Sequence, residues 1–483
     1  MNKLYLLLFG IVGWTTVHSQ NFEWLNYVSV SNPSSLDAQA MDLDNDGNLV
    51  VAGSFKGLVD FDHGPGVTNL SSWNTIYSDL YVMKIDQNGN FVWATDFNGS
   101  NIKEYTDIAV DDQNFIYTVG SFKQTVDFLP SGSNVQSHDV FVQKLDENGT
   151  QLWAAQFKGV DLNFSGDVSV DSQGNVYVNG AFSDSVDFDP GVSEYFLHAN
   201  NPGRCFLVKL DSNGVFQWAQ NFGDNNVFQP GAMQVDSNDD IVVCGTIYTA
   251  QDFDPGLDAL MLGNEGKHSC FVVKFDDAGN LIWGKEINAS YTAGTIISDY
   301  IKCIALTIDP FDNIALTGQF SGTVDLDPGV GQHLIYGNSL KDLFVANLSS
   351  AGDFNWGKRI GSPNIATGPS MLVNTSVYGN NITSDLAGNV YVTGVIIDTT
   401  IFDEGGTDVI LDPGEGDDLF ILKYDDLGAY KWTVRLEGNE QVSSSAGAYG
   451  HDIRIGQNDQ IYTTGYFGQE VDFDPGTVSY THL

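Results

Sequence analysis

Three closely spaced aspartates near the start of the chain have the types and spacing of a calcium-binding loop. Asp42, Asp44 and Asp46 occupy alternate positions, and carboxylate oxygens at alternate positions are the ligands that Ca²⁺ takes in such loops. The glutamate that such a loop carries at its twelfth position is missing, because Gly53 stands there. We therefore expect a tight turn that requires no cofactor, with Ca²⁺ binding by these three residues as the open alternative.

A second acidic motif, Val-Asp-Phe-Asp-Pro-Gly, occurs at 186–191 and 471–476, with close variants at 251–256 and 324–329. In an extended strand its two aspartates lie on one face and its phenylalanine on the other. Two interpretations are open. The aspartates form a carboxylate pair for Ca²⁺, or the phenylalanine packs in the core and the second aspartate caps the Pro-Gly turn. We favour the turn.

No catalytic motif accompanies these aspartates. The eight histidines show no paired metal-ligand spacing, and neither a nucleophile elbow nor a Walker loop is present. A catalytic site assembled from distant loops stays open, but the sequence gives no positive argument for one.

These residues belong to a repeat that dominates the sequence. One glycine recurs at intervals of roughly 69 residues, at Gly53, Gly120, Gly180, Gly245, Gly318, Gly394 and Gly465. Each repeat contains four strand-like runs, called A to D, that are rich in β-branched and aromatic residues and bounded by Gly, Asn and Asp. We predict an all-β fold, a seven-bladed β-propeller of four-stranded antiparallel blades, in which one tryptophan per blade wedges between neighbouring sheets.

The repeat also resembles a known family. The strand pair at 171–180 and 385–394, the strand at 139–144 and the tryptophan strands around Trp93 and Trp153 are similar to the bacterial SBBP-type (seven-bladed β-propeller) repeat. The resemblance covers residues 38–477. It implies a propeller exported from the cell, in some members as a surface protein of a type IX secretion system, and it implies no defined activity. Cys205 and Cys270 depart from the pattern by replacing the aspartate that opens strand C, and Asn347 replaces its lysine.

The two ends of the chain do not follow the repeat. Residues 1–19 have the charged, apolar and small-residue segments of a signal peptide, so the propeller would occupy 20–477. The seventh repeat stops before strands C and D, and 478–483 read as a non-native tail of a truncated chain. The run 22–28 matches a strand D and contains Trp24. We expect this N-terminal strand to close an incomplete last blade, beside a gap where strand C is missing.

Charge and cysteine content restrict the partners and the compartment. The net charge is −42, which repels nucleic acid, and beyond the leader no segment is long and apolar enough for membrane insertion. Four cysteines, Cys205, Cys244, Cys270 and Cys303, leave three disulfide pairings open, and buried free thiols are an equal alternative.

The long connections suggest where a partner binds. Connections D–A and B–C lie on one face of a propeller, and the longest ones contain or flank Tyr291 and Tyr300, whose rings suit stacking on a ligand. We predict a secreted or cell-surface binding propeller whose ligand is an extracellular glycan or protein. The alternative is a propeller enzyme, a lyase or hydrolase, with its site at the mouth of the central channel. A cluster of His, Glu and Arg there would favour the enzyme.

The turn interpretation of the aspartates predicts that chelation leaves stability unchanged. Calorimetry with and without EDTA should give the same melting temperature within a few degrees, because ligand removal destabilises a fold only when the native state binds that ligand. A larger fall, reversed by added Ca²⁺, would show a structural calcium ion.

Overall fold

A computed structural model describes residues 4–12, 21–26, 28, 35–73, 76–99, 102–123, 138–223, 227–264, 266, 268–290, 300–363, 377–403, 409–413, 417–438, 448–456, 459–468 and 471–472. These residues contain no α-helix, and none of their segments forms a helix able to cross a membrane. The strands, in chain order, are β1 Leu4–Val12, β2 Asn21–Asn26, β3 Ser35–Leu43, β4 Leu49–Lys56, β5 Leu58–Asp60, β6 Asn69–Ser71, β7 Asp79–Ile85, β8 Phe91–Phe97, β9 Ile102–Val110, β10 Ile116–Lys123, β11 His138–Leu145, β12 Gln151–Val170, β13 Val176–Asp187, β14 Phe196–Leu210, β15 Phe216–Phe222, β16 Val227–Val235, β17 Ile241–Ile247, β18 Gln251–Asp252, β19 Met261–Leu262, β20 Ser269–Phe275, β21 Leu281–Ser290, β22 Tyr300–Ile308, β23 Ile314–Ser321, β24 Thr323–Asp325, β25 Leu334–Tyr336, β26 Asp342–Leu348, β27 Phe354–Ile360, β28 Val377–Ser384, β29 Val390–Ile396, β30 Thr400–Ile401, β31 Ile410–Leu411, β32 Asp418–Tyr424, β33 Tyr430–Gly438, β34 Ala448–Ile455, β35 Gln460–Gly468 and β36 Val471–Asp472.

The main strands form four-stranded antiparallel units, numbered here along the chain, in which A pairs with B, B with C and C with D. In that order, unit 1 is β3, β4, β7 and β8; unit 4 is β16, β17, β20 and β21; unit 5 is β22, β23, β26 and β27; and unit 6 is β28, β29, β32 and β33. The long strand β12 serves as strand D of unit 2, after β9, β10 and β11, and then as strand A of unit 3, before β13, β14 and β15. Unit 7 consists of β34, β35, β1 and β2.

The recurring Asp-x-x-Gly-Asn sequence makes the tight turns between strands A and B. In unit 3, Asp171 Oδ1 accepts hydrogen bonds from the backbone N–H groups of Gln173 and Asn175, at 2.9 and 2.8 Å. Gly174 takes a φ of 77°, which glycine adopts without strain. Where a repeat lacks this glycine, the position is held by asparagine or aspartate, the residues that best tolerate a left-handed backbone: Asn114, Asp239, Asp312 and Asp459.

The same turn aspartate forms a buried ion pair with the lysine of strand C. Lys84 Nζ lies 2.6 Å from Asp44 Oδ2, and Lys274 Nζ lies 2.5 Å from Asp236 Oδ2. Units 3 and 6 repeat the pair between Lys209 and Asp171 and between Lys423 and Asp385. A buried charge is stable only when it is paired. This contact explains why the repeat contains both a turn Asp and a strand C Lys, although the two are far apart in sequence.

Tryptophans of strand D join units 1 to 5 each to the next unit along the chain. Trp93 Nε1 donates a hydrogen bond to Glu147 O at 3.1 Å, and its ring lies so close to Gly149 that a Cβ there would come within 2.8 Å of it. Equivalent bonds link Trp153 to Ser212, Trp218 to Asp277, Trp283 to Ser350 and Trp356 to Asp426. The predicted wedge is therefore present, seated on the C–D turn of the following unit.

The Val-Asp-Phe-Asp-Pro-Gly segments form small hairpins with the predicted turn. Asp187 Oδ1 accepts from the N–H groups of Asp189 and Tyr195, and Asp189 Oδ1 accepts from that of Gly191, at 2.8 Å. Phe188 is fully buried, and Phe61, Phe253, Leu326 and Phe402 are buried at the equivalent positions.

These hairpins also contact the strand D of the preceding unit, which the sequence did not predict. Strand β21 of unit 4 pairs with β24 of unit 5, and β33 of unit 6 pairs with β36 of unit 7. Further contacts of this kind are Gly159 with Val186, Gly223 N–H with Asp252 O, and Gly361 with Ile401. The motif therefore has a structural function in the described residues, because it connects neighbouring units.

Unit 7 confirms one expectation about the N-terminus and corrects another. Strand β2 is its strand D. The ring centroids of Trp24 and Tyr462 lie 6.0 Å apart, as those of Trp153 and Tyr117 in unit 2 lie 6.3 Å apart. The expected gap at strand C is wrong for the chain as it stands, because β1 pairs with β35 on one side and with β2 on the other. An apolar run such as residues 4–12 suits a signal peptide and a strand equally, so its place in the sheet is not evident from the sequence. The segment 478–483 lies outside the described residues.

The cysteines form one disulfide and two buried thiols. Cys270 of strand C in unit 4 is bonded to Cys303 of strand A in unit 5, with the Cα atoms 5.4 Å apart. Cys205 and Cys244 are free and buried. The disulfide thus crosses a junction between units. The expectation that Cys205 and Cys270 replace the aspartate of strand C is wrong, because the register places Arg204 and Ser269 at that position and each cysteine one residue further along.

The disulfide predicts a stability that depends on reductant. It closes a loop of 33 residues, for which the chain-entropy model gives about 3–4 kcal/mol. Adding dithiothreitol should lower the melting temperature of the native chain. The double variant Cys270→Ala/Cys303→Ala should melt lower in both buffers and show no response to dithiothreitol. A Cys205→Ala variant, which removes a free thiol, serves as the control and should keep the response; equal melting of native protein with and without reductant contradicts the bond.

Candidate functional site

A polar cavity of about 700 Å³ lies where the A strands of all the units converge. Its lining includes seven aspartates, one histidine and one arginine. Within the A strands lie Asp42, Asp107, Asp167, Asp452, His451 and Arg454, and just after the strand ends lie Asp111, Asp112 and Asp171. The A strands place these groups because every second residue of a strand faces the same side.

The cavity carboxylates hold neighbouring A strands together. Asp107 Oδ2 accepts from Val168 N–H at 3.0 Å and Asp167 Oδ2 from Met233 N–H at 2.7 Å, in each case across a junction between units. Other side chains of the A strands accept the same kind of bond: Asp42 from Val110 N–H, Ser169 from Val235 N–H and Gln234 from Ile308 N–H. Each acceptor satisfies an innermost backbone donor that has no further strand to pair with.

One such bond connects the two ends of the described chain. Asp452 of unit 7 accepts from Met41 N–H of unit 1 at 2.8 Å, although the residues are 411 positions apart. Asp452 Oδ1 also accepts from Asn381 Nδ2 of unit 6, and it pairs with Arg454 Nη1 at 2.5 Å. This carboxylate therefore contacts three units.

Burial and mutual repulsion shift the pKa values of these groups. Burial raises the pKa of Asp167 to about 7, against the opposing effects of the Met233 N–H and Arg454, and burial together with Asp167 raises that of Asp107. Although burial lowers the pKa of Arg454, the surrounding carboxylates, Asp452 first, raise it more. Arg454 is therefore a permanent cation beside carboxyl groups whose pKa values burial raises above the ordinary value.

The three aspartates predicted as a Ca²⁺ loop do not converge on one point. Asp42 faces the cavity, with Arg454 Nε 3.5 Å from its Oδ1. Asp44 holds the A–B turn and pairs with Lys84, and Asp46 is exposed in that turn. Among the described residues, no group of three or more acidic, histidine or cysteine side chains has the arrangement of a metal site.

The two predicted ligand tyrosines have different outcomes. Tyr291 lies outside the described residues. Tyr300 begins strand A of unit 5, and its ring centroid lies 4.9 Å from that of His268, which in turn lies 4.0 Å from Tyr248. Burial raises the pKa of Tyr300 to about 12, so its phenol stays neutral.

Two lysines extend this aromatic group toward unit 6. Lys302 lies on the same face of β22 as Tyr300, since the two alternate with the buried Ile301. Lys341 Nζ lies 5.4 Å from the centre of the Tyr378 ring, and burial followed by repulsion from Lys341 lowers the pKa of Lys302. We call the half-buried residues Tyr248, His268, Tyr300, Lys302, Lys341 and Tyr378 the mouth patch.

The mouth patch adjoins the cavity. Lys302 precedes the lining residue Ile304 on β22, and Tyr378 precedes Asn380 on β28. The patch therefore lies at the end of the A strands where the D–A connections arrive. Sequence reasoning found only Tyr300 here, because the other five residues belong to no repeated motif.

Comparison with known proteins shows similarity both in sequence and in structure. No protein-family model matches the chain. An uncharacterized WD repeat-containing protein of Acanthamoeba polyphaga mimivirus is 22% identical over 465 residues, which cover 80% of this chain and 32% of the viral protein. The chain thus spans about a third of that relative's length. This chain is a β-propeller-like repeat protein.

The chain is also similar to a solved structure, that of a catalytically inactive virginiamycin B lyase from Staphylococcus aureus with quinupristin. The identity is 8% and the TM-score is 0.36, and the match covers 90% of this chain and 97% of the lyase.

The raised pKa of Asp167 predicts a pH-dependent cost to stability. Because the folded-state pKa, about 7, exceeds the ordinary value of an unfolded aspartate, the folded chain loses stability as pH rises toward and through 7. Asp167→Asn keeps an oxygen for Met233 N–H but cannot ionise. Its melting temperature should exceed that of the native chain at about pH 8 by more than at about pH 5. Asp46→Asn, in an exposed turn, is the control; the same difference at both pH values would contradict the prediction.

Proposed function

We propose that the chain is an exported, closed, seven-bladed β-propeller that binds an extracellular ligand through the face that carries its D–A connections. The described strands support this architecture. Side-chain hydrogen bonds span successive junctions from unit 1 to unit 7, and the bond from Asp452 to Met41 joins the last unit to the first. Closure protects sheet edges that an open array would expose to other chains.

Export is supported by the disulfide and by the leader-like N-terminus. A bond between Cys270 and Cys303 persists in an oxidising compartment such as the periplasm or the cell exterior. The resemblance to SBBP-type proteins points in the same direction. Removal of 1–19 in an exported chain would also remove β1, so the strand C position of unit 7 would then need another strand.

Binding is favoured over catalysis by the way the side chains are used. The cavity carboxylates resemble a catalytic cluster in residue type, yet the four within the A strands, Asp42, Asp107, Asp167 and Asp452, each already accept a backbone N–H from a neighbouring strand. The mouth patch is different, because its lysines form no ion pair with a carboxylate among the described residues. Two lysines without an ion pair among the described residues, next to aromatic rings, are the observation that carries the proposal.

One observation keeps the enzyme as a second candidate. Asp167, with a pKa of about 7, is suited to take up a proton at neutral pH, and Arg454 stands in the same cavity to stabilise an anion. A lyase or hydrolase would use these two residues. The described cavity residues include a single arginine and a single histidine, and no glutamate, so the cluster that would favour catalysis is only partly present.

The ligand class is an extracellular glycan or protein. The viral relative is named for its WD repeats, and repeats of that kind form propellers. The net charge of −42 disfavours nucleic acid as the alternative partner.

The purified chain, applied to glycan and protein-ligand arrays, should bind a restricted set of ligands. Binding should fall in a Tyr300→Ala/Lys341→Ala variant. It should persist in the control variant Lys431→Gln, which changes an exposed lysine on strand D of unit 6. No binding to either array would contradict a binding function. Turnover of a bound glycan that disappears in Asp167→Asn would favour the enzyme.

A further inference from the structure

The mouth patch holds two cations that lack protein counter-ions, in a chain where carboxylates outnumber cations about threefold. Among the described residues, neither Lys302 nor Lys341 has a carboxylate within ion-pair distance. Most other buried or half-buried cations are paired: Lys84, Lys209, Lys274, Lys423, Arg359, Arg435 and Arg454.

The carboxylate nearest in sequence is already used. Asp342 follows Lys341 directly, but it is fully buried and pairs with Arg359 Nη2 at 2.9 Å. Its oxygens also accept from Ser339 Oγ and Asn338 N–H. The lysines are therefore left to repel each other, and a bound anion would relieve that repulsion.

The rings beside the lysines specify more than charge. Tyr248, His268 and Tyr300 form a continuous group of edge contacts, and Tyr378 lies under the Lys341 ammonium. Neutral phenol and imidazole groups offer both flat apolar surface and hydrogen-bonding atoms, which suits a ring that carries hydroxyl groups. Burial lowers the pKa of His268, so this imidazole adds no further charge at neutral pH.

The acidity of the whole chain limits the size of the anion. A net charge of −42 repels a long polyanion before it reaches two lysines, whereas a ligand with one negative group meets a local positive field. An acidic peptide would bring several carboxylates toward the same acidic surface. The observations therefore favour a saccharide over a peptide.

We infer that the mouth patch binds a saccharide with a single anionic group, whose carboxylate or sulfate lies between Lys302 and Lys341 and whose sugar ring contacts Tyr300 and Tyr378. This rests on the proposed binding function and goes further by naming the ligand chemistry and the residues that select it. Both lysines belong to unit 5 and Tyr378 belongs to unit 6, so the ligand would bridge neighbouring units.

The test compares a disaccharide containing one glucuronate with the same disaccharide in which the carboxyl group is reduced to a hydroxymethyl group. Titration followed by ligand-observed NMR should show at least about tenfold tighter binding of the acidic form, which corresponds to about 1.4 kcal/mol. Lys302→Gln and Lys341→Gln, made separately, should each remove most of that preference. Lys341→Arg should retain it, and Lys431→Gln should leave it unchanged. Melting temperatures confirm that each variant is folded.

The outcomes separate the inference from the proposed function. If the neutral disaccharide binds as well as the acidic one, or if the two lysine variants keep the preference, this inference is overturned while a binding function stands. A pentaglutamate peptide that binds more tightly than the glucuronate would overturn the choice of saccharide. A singly sulfated disaccharide that binds like the glucuronate supports the inference, because it carries the same single charge. Failure of every ligand here and on the arrays overturns both.

Discussion

The contact on which the structure most depends is the tryptophan of strand D seated on the C–D turn of the next unit. The indole donates to a turn carbonyl and its ring lies against the turn glycine, as Trp93 does with Glu147 and Gly149. No side chain fits at that glycine, whose φ is 79°. A unit that buried only its own sheet would leave one face exposed, and this contact fixes how far each unit rotates against the one before. The repeat of Trp, Gly and turn Asp follows from it.

The positive charges of the chain also have a place in this framework. The few cations of the chain are drawn inward, where Lys84 and Lys274 neutralise turn aspartates that would otherwise be buried and unpaired. Lys302 and Lys341, which form no ion pair among the described residues, differ in this from the lysines that hold the turn aspartates.

Sequence reasoning predicted what the repeat encodes and missed what lies between repeats. The turn at Asp171, the strands and the assignment of Trp24 to the last unit follow from patterns within one repeat. The pairing of β21 with β24 joins different repeats, so no local pattern reveals it. Strand β1 was missed because its apolar residues satisfy both a leader and a buried strand. The mouth patch extends from residue 248 to 378 without a shared motif, and only the fold brings its residues together.

The use of side chains in the cavity bears on the choice between binding and catalysis. An acid or base that must change protonation during turnover cannot also be the fixed acceptor of a junction bond without weakening the junction each time. Asp452 illustrates the conflict, because its carboxylate joins Met41, Asn381 and Arg454 and so connects units 1, 6 and 7. Protonation there would weaken the link between the ends of the chain. The lysines of the mouth patch form no ion pair across a unit junction among the described residues. A ligand can therefore bind or leave there without breaking a junction contact. A framework of junction bonds with a separate site at the mouth of its cavity is therefore consistent with the proposed binding function.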